Sequence, residues 1–307
     1  MARMTIALLL LAHPAAGAWR RVADLPFGLS DFTATVVPNF GEVEGRGRIV
    51  IVGGCDEDQV VVADPDDIWP FCPSVSNKVL LYDYAADKWS RGNNAPRARY
   101  RHAAATDGHK LYVLGGRNVD DGLVPQTDVY DTHTGKWATI AAEVPRSDLG
   151  AIWNDAGDVG LLGPHIFVAG GYDEKYTVAY TETLKINPET GDITPGANLL
   201  TGRGDFGFVS TGDNARAYAV GGYNPADWCT PLASVETLDL NSNWPDFAPS
   251  KPLLVGRADK AVAYGEDAIS AVGGERNPQC SGSAPQDDVE KLGVYPAVLK
   301  ATSDRVD

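Results

Sequence analysis

Apolar residues along this chain come in short, nearly continuous blocks, and each block ends in a pair of glycines. Five such blocks occur: Ile49-Val-Ile-Val-Gly53-Gly54, Leu111-Tyr-Val-Leu-Gly115-Gly116, Ile166-Phe-Val-Ala-Gly170-Gly171, Tyr218-Ala-Val-Gly221-Gly222 and Ile269-Ser-Ala-Val-Gly273-Gly274. Blocks this short, rich in branched and aromatic residues and bounded by turn formers, read as strands buried on both faces. No long stretch repeats its apolar residues at helical spacing, so the pattern predicts an all-β protein. The glycines permit a sharp turn and a close approach of a neighbouring backbone directly after each strand.

A second strand of alternating character follows each glycine pair, then a turn and, in the clearest copies, a tryptophan. Val79-Leu-Leu-Tyr82-Asp83 leads to Lys88-Trp89, and Asp128-Val-Tyr130-Asp131 leads to Lys136-Trp137. Weaker copies are Glu182-Thr-Leu-Lys-Ile186, with Ile193 in place of the tryptophan, and Val235-Glu-Thr-Leu-Asp239 followed by Trp244. The fifth copy, Val289 to Val294, ends without one. Upstream of the glycine pairs a third element aligns: Arg99-Tyr-Arg101-His102, Arg146-Ser-Asp148, Arg203-Gly-Asp205 and Arg257-Ala-Asp259, with Leu29-Ser-Asp31 as the first copy.

These three elements, repeated five times between Trp19 and about Tyr295, resemble the Kelch repeat. The resemblance implies that each copy folds into one four-stranded blade of a β-propeller, neighbouring blades burying each other's faces around a central channel. Five blades are expected. A sixth, degenerate blade in the stretch from Cys55 to Asn77 is the alternative, although that stretch lacks strand alternation. The segment Trp19 to Pro26 reads like the outermost strand of a blade without its first three. Beside Val289–Val294 it would close the ring with strands from both chain ends and leave no open sheet edge there. The blade tryptophans are expected to contribute large apolar area between blades, a Trp→Ala change costing roughly 3–5 kcal/mol.

The N-terminus changes the expected compartment. Met1-Ala-Arg-Met-Thr, an apolar run from Ile6 to Ala12 and small residues up to Ala18 fit a secretory signal peptide over residues 1–18. The propeller then covers residues 19–295 and a C-terminal tail residues 296–307. The run is too short to span a bilayer, so no membrane insertion is expected. Four cysteines behind such a leader favour disulfides over zinc, whose ligand spacing they do not match. Cys55 and Cys72 bracket the longest loop and are paired here; Cys229 and Cys280 hold equivalent places after the fourth and fifth glycine pairs and are paired across adjacent blades. The formal net charge of -15 repels phosphate backbones, which argues against nucleic acid as a partner and leaves cationic and neutral ligands open.

Candidate chemistry falls on one face. Residues two apart in a strand share a side, so Arg99, Arg146, Arg203 and Arg257 with Asp31, Asp148, Asp205 and Asp259 are expected to form a ring of alternating charge at one channel mouth. Two readings stand: inter-blade ion pairs, or a polar ligand or metal site. Arg203-Gly204-Asp205 spells an adhesion tripeptide, and its alignment with the other copies explains it as ordinary repeat sequence. The irregular loops after the glycine pairs reach the same mouth and carry Trp69, Tyr172, Tyr176, Tyr223 and Trp228 among many acids. Aromatic faces beside carboxylates suit sugar rings or cationic groups. No cofactor is expected. The acidic loops offer oxygen ligands to calcium, but not at the spacing of a calcium loop.

Secreted Kelch propellers include copper radical oxidases resembling galactose oxidase. The histidine pair that resemblance would require is missing here, and the cysteines are better used as disulfides. The sequence therefore favours a monomeric, secreted, extracellular scaffold that binds a glycan or an extracellular protein. The alternative is a carbohydrate-active enzyme, glycosidase-like or resembling the sialic acid mutarotases built on Kelch blades, with the four aspartates as its carboxylates.

Overall fold

The structure is a computed structural model that describes residues 21–41, 47–60, 71–155, 163–212, 214–241, 246–265, 267–274 and 289–293. Trp19, Trp69, Trp244 and Cys280 lie outside them.

Five antiparallel sheets form, each a meander in chain order. Blade 1 is β1 (Thr33–Val37), β2 (Arg48–Val52), β3 (Val79–Asp83) and β4 (Lys88–Arg91). Blade 2 is β5 (Ala103–Thr106), β6 (Lys110–Leu114), β7 (Gln126–Asp131) and β8 (Lys136–Glu143). Blade 3 is β9 (Gly150–Asn154), β10 (His165–Ala169), β11 (Leu184–Ile186) and β12 (Ile193–Pro195). Blade 4 is β13 (Gly207–Ser210), β14 (Arg216–Val220), β15 (Val235–Asp239) and β16 (Ala248–Pro249). Blade 5 shows β17 (Ala261–Gly265), β18 (Ala268–Val272) and β19 (Val289–Gly293). The count is five, not six. Described residues between Cys55 and Asn77 contribute only isolated bridges, such as Cys55 with Val75.

The second strand of each blade is largely apolar because both its faces are covered. In β2, Val50 and Val52 face blade 2 and pack with Leu111, Val113 and Tyr130. Ile49 and Ile51 point the other way and pack with Leu29, Leu80 and Tyr82. Similar layers join blades 2 and 3 around Leu114, Leu149 and Val168, blades 3 and 4 around Phe167, Phe206 and Ala219, and blades 4 and 5 around Tyr218, Val220 and Ile269. Among the described residues, no helix is long and apolar enough to cross a membrane.

The first four glycine pairs have a steric cause at the blade junctions. Gly170 sits at φ +60, and a Cβ there would lie 2.4 Å from the backbone oxygen of Arg203 in the next blade. The next N–H, that of Gly171, donates to that same oxygen at 2.8 Å. Equivalent bonds run from Gly54 to Arg99, Gly116 to Arg146 and Gly222 to Arg257. The aspartates of the "Tyr-Asp" strands close the outer hairpin: Asp131 accepts from the N–H groups of His133 and Thr134 at 2.9 Å each. The Thr134 N–H is the chief cause that holds this carboxyl below its ordinary pKa.

The tryptophans act between blades, though less deeply buried than their size suggests. Trp137 stands 5.0 Å from Tyr130 and donates its indole N–H to the Asn93 carbonyl of blade 1 at 2.8 Å. Trp89 donates in the same way to Ala23 at 2.9 Å. Asn93 lies four residues after Trp89, and Ala23 lies four residues after Trp19. Ala23 thus accepts from Trp89 as Asn93 accepts from Trp137 in the next blade. Residues 21–27 are not themselves in a sheet; Val22, Ala23, Leu25 and Phe27 instead cover the outer apolar layer of blade 1. The pairing of Trp19–Arg20 with β19 falls outside the described residues.

Candidate functional site

Each innermost strand is preceded by one residue in the left-handed region: Asp31 (φ 51), Arg101 (φ 53), Asp148 (φ 56), Asp205 (φ 52) and Asp259 (φ 46). Four of them hand a hydrogen bond to the blade before. Arg101 N–H donates to Asp31 O (3.0 Å), Asp148 to Arg101 (2.8 Å), Asp205 to Asp148 (3.1 Å) and Asp259 to Asp205 (3.1 Å). The five residues thus form a backbone belt around the channel mouth. Aspartate recurs in it because a short polar side chain tolerates left-handed φ better than most. The repetition is conformational before it is chemical.

The arginines do not join this belt, which corrects the expected ring of alternating charge. Arg99, Arg146, Arg203 and Arg257 are buried and turn outward into their own blades. Arg99 donates to the carbonyls of Gly115 (2.9 Å) and Gln126 (3.0 Å) and to Asp128 Oδ2 (2.5 Å). Arg203 bonds the carbonyls of Gly221 (2.8 Å) and Ser234 (3.1 Å) and pairs with Glu236. Arg257 reaches Gly273 (3.0 Å) and Glu290 (2.5 Å). In blade 3 the carboxylate position is Leu184. The guanidinium of Arg146 there bonds the carbonyls of Gly170 and Glu182 and lies 4.0 Å from the centre of the Tyr180 ring. In blade 1 the arginine is Leu29 and its partner position Leu80, both in one apolar cluster. Blades 2, 4 and 5 carry both charge and countercharge, blade 1 carries neither, and blade 3 keeps the arginine with carbonyls and a tyrosine ring in place of the carboxylate. The arginines are struts fastening each lead-in loop to strands two and three.

Two of the expected stacking aromatics are also internal. Tyr172 and Tyr223 are each 1% exposed and pack with Ala258. Gly204 is required by this packing, since a Cβ there would lie 2.2 Å from the Tyr172 ring. With Arg203 and Gly204 buried and Asp205 in the belt, the tripeptide is not a projecting loop. Tyr176 and Trp228 are half-buried around the same cluster, 5.6 and 5.2 Å from Tyr172.

The belt's side chains make an asymmetric charge pattern. Arg101 Nε lies 3.6 Å from Asp31 Oδ1 and 3.7 Å from Asp148 Oδ1, and its guanidinium also donates to the Tyr176 hydroxyl. Tyr176 is enclosed from its other side by Arg117, whose Cζ stands 3.8 Å from the ring centre. Arg117 is fully buried and ties two mouth loops together through Asp121 O (2.6 Å) and Asp173 O (2.8 Å). Tyr100 donates its hydroxyl to Asp121. Burial, then the negative charges of Asp148 and Asp259, push the Asp205 carboxyl well above the ordinary range. Burial likewise lowers Lys260, which covers the blade 4–5 junction, to about 7; its Nζ donates to Arg257 O at 3.1 Å.

Arg101, Arg117 and Tyr100 were not assigned to the site from the sequence, and Asp121 stood there only as one of many loop acids. The signal existed in one place: Arg101 breaks a column that is otherwise aspartate. No signal marked the others.

Cys55 and Cys72 are bonded to each other, closing the loop between them. Cys229 is disulfide-bonded, and its assigned partner Cys280 lies outside the described residues. Asp56, one of the acids considered for calcium, accepts from Ser74 (2.6 Å) and Lys78 (2.9 Å). Among the described residues no three histidine, cysteine or carboxylate side chains are gathered as a metal ion would require.

Comparison with known proteins agrees with the repeat. The Kelch motif matches residues 98–142. Kelch-like protein 25 of Xenopus tropicalis is 29% identical over 195 residues, covering 62% of this chain and 30% of that protein. An F-box/kelch-repeat protein of Arabidopsis thaliana is 33% identical over 160 residues, covering 52% of this chain and 37% of that protein. The chain thus spans well under half the length of these relatives. Among solved structures, that of YjhT superposes with a TM-score of 0.64 at 14% identity, over 87% of this chain and 82% of that one, a likeness of fold. Five blades, a glycine pair after the second strand of each, the Kelch motif at residues 98–142 and these sequence relatives together support a Kelch-repeat β-propeller.

Proposed function

We propose that the chain is an extracellular binding module whose partner docks on the channel-mouth face, and that this partner is a protein. The observation that carries the reading is the belt. Five loops from five blades are locked to one another through backbone bonds and buried struts, so they present charge on a scaffold that needs no ordering when a partner arrives. The Kelch-like relatives support protein over other ligands, and the leader-like N-terminus and disulfides support the extracellular setting. A glycan is the lesser alternative, because Tyr172 and Tyr223 are spent in the core and leave Tyr176 and Trp228 as the half-exposed rings of the described loops.

Cross-linking mass spectrometry on the secreted protein in its native medium tests the reading. Cross-links from a co-purifying protein should concentrate on Lys175 and the loops near residues 118–123 and 173–178. Cross-links concentrated on the opposite face, at the outer hairpins near 131–136 and 187–192, would sink it, and selective glycan-array binding would transfer it to sugars.

One observation favours a second reading. A buried carboxyl pushed well above the ordinary range beside a second carboxyl, as Asp205 is beside Asp148, resembles a general-acid arrangement. Glycoside turnover abolished by Asp205→Asn and by Asp148→Asn, with folding intact, would establish that enzyme reading instead.

A further inference from the structure

We infer that the groove between the mouth loops of blades 3 and 4 seats an extended, basic segment of the partner. That segment places one apolar side chain between the loops and a main-chain carbonyl on the Ala179 N–H. The inference rests on the reading of the mouth as the binding face and specifies the chemistry read there.

The groove has a volume of about 450 Å³, with Thr177, Val178 and Ala179 on one wall and Asn224, Pro225 and Ala226 on the other. None of these six side chains is ionisable, in a chain whose formal net charge is -15. Val178 is 47% exposed, a branched apolar side chain turned to water a few residues after Asp173-Glu-Lys175. The polar side chains of the walls are already engaged. Thr177 donates its hydroxyl to Asp173 Oδ2 at 2.8 Å. Asn224 donates from Nδ2 to the Gly202 carbonyl at 2.6 Å and accepts the Ala226 N–H at Oδ1, 2.9 Å away. The walls therefore favour an apolar side chain over a hydroxylated one.

A second observation concerns the backbone. Tyr172 and Ala179 form an antiparallel bridge, flanked by bonds from Asp173 N–H to Val178 O (3.1 Å) and from Tyr180 N–H to Gly171 O (2.9 Å). In a pair of this kind the N–H and C=O of Ala179 point away from the strand of Tyr172. The carbonyl faces Gly202 of the next lead-in loop, where a Cβ would lie 2.0 Å from it. The Ala179 N–H has no acceptor among the described residues. A short strand edge with an open donor beside an apolar groove is what an extended peptide completes.

Charge selects the occupant. The loops that build the walls carry Asp173, Glu174 and Asp227 against Lys175. Lysine or arginine beside the apolar residue of the segment is thus attracted. A second copy of this chain would bring the same acids and the same net charge to the contact, and is repelled.

Three end-blocked peptides test this: Lys-Thr-Leu-Thr-Lys, Lys-Thr-Asn-Thr-Lys and Glu-Thr-Leu-Thr-Glu, titrated into the full chain and followed by amide and methyl NMR. The leucine peptide with lysine flanks should give saturable shifts at the Ala179 amide and the Val178 methyls, and bind at least fivefold more tightly than either other. Ala226→Trp, which fills the groove from an exposed position, should weaken it at least tenfold. Leu254→Ser, the loss of an exposed apolar side chain outside the groove, should leave it unchanged within twofold. The remaining amide signals report whether Ala226→Trp folds; if it does not, Val178→Ser is the test and should weaken the peptide at least threefold. Equal binding of the three peptides, shifts centred away from the groove, or an equal effect of Leu254→Ser overturns the inference. So does a dimer in sedimentation that Ala226→Trp dissolves, which assigns the groove to a second copy. A protein cross-linked to residues 173–178 in native medium, in the same yield for Ala226→Trp, would remove the groove and leave the binding-face reading standing.

Discussion

Removing the charge of Asp128 measures what a strut contributes. Asp128 is 1% exposed and Arg99 not exposed at all, and Asp128 takes bonds from Arg99 (2.5 Å), Arg97 and Thr139 (2.7 Å). Asp128→Asn keeps the shape and leaves the Arg99 guanidinium buried without a countercharge, a loss of about 3–5 kcal/mol. Arg97 adds little, since it is one-third exposed and can turn to water. Burial already lowers Arg99 to about 10 in the presence of Asp128, so at neutral pH it stays charged and bears the full cost. Blade 1 supplies the control, with leucine at both positions. Arg99→Leu with Asp128→Leu should therefore lose only about 1–2 kcal/mol, from the Gly115 and Gln126 carbonyls that lose a donor. Urea unfolding followed by tryptophan fluorescence should rank wild type above the double variant and the double variant above Asp128→Asn. A single variant within about 1 kcal/mol of wild type, or a double variant worse than the single, would refute the strut argument.

Three further outcomes are expected. His102 is buried at the blade 1–2 junction and lowered by burial to about 3, against 6.5 unfolded; between those values the unfolded chain holds more protons, so stability falls as pH drops. At pH 5 this amounts to about 2 kcal/mol, and His102→Phe should remove that slope in urea midpoints taken from pH 7 to 5. Lys260, at about 7 folded and 10.5 unfolded, makes stability rise as pH increases between those values; Lys260→Met should abolish the rise and stabilise the protein at pH 7 by ~1–2 kcal/mol in the same assay. Gly170→Ala meets both left-handed φ and the Arg203 oxygen and should cost about 2–4 kcal/mol, whereas Gly135→Ala, with φ +69 but its nearest neighbour a side-chain atom at 3.4 Å, should cost about 1 kcal/mol by thermal melting.

The blades were legible in the sequence because their determinants are local. A strand covered on both faces must be continuously apolar, and the glycine pair after it answers a contact made at the same place in every blade. Repetition multiplied that signal five times. The outermost strands were harder, since Ile193 and Ala248 lie at the rim, where little packing selects a residue type.

What the linear order could not settle was direction. Arg203 and Asp205 are two residues apart and read as neighbours on one face. The left-handed turn at Asp205 breaks the strand periodicity there, sending the arginine into its blade and the aspartate to the channel. The same turn, placed in five loops by five separate sheets, assembles the belt. Its charge pattern, Arg101 between two acids and three acids in succession, depends on which blade stands beside which. Tyr172 and Tyr223 followed the same logic. An aromatic residue in an acidic loop is equally suited to stacking on a ligand or filling a gap, and only the closeness of Gly204 and Ala258 from the next blade assigned them to the core. Strands and their junctions are thus properties of the sequence, while the site belongs to the ring, because contacts between blades join residues some fifty positions apart.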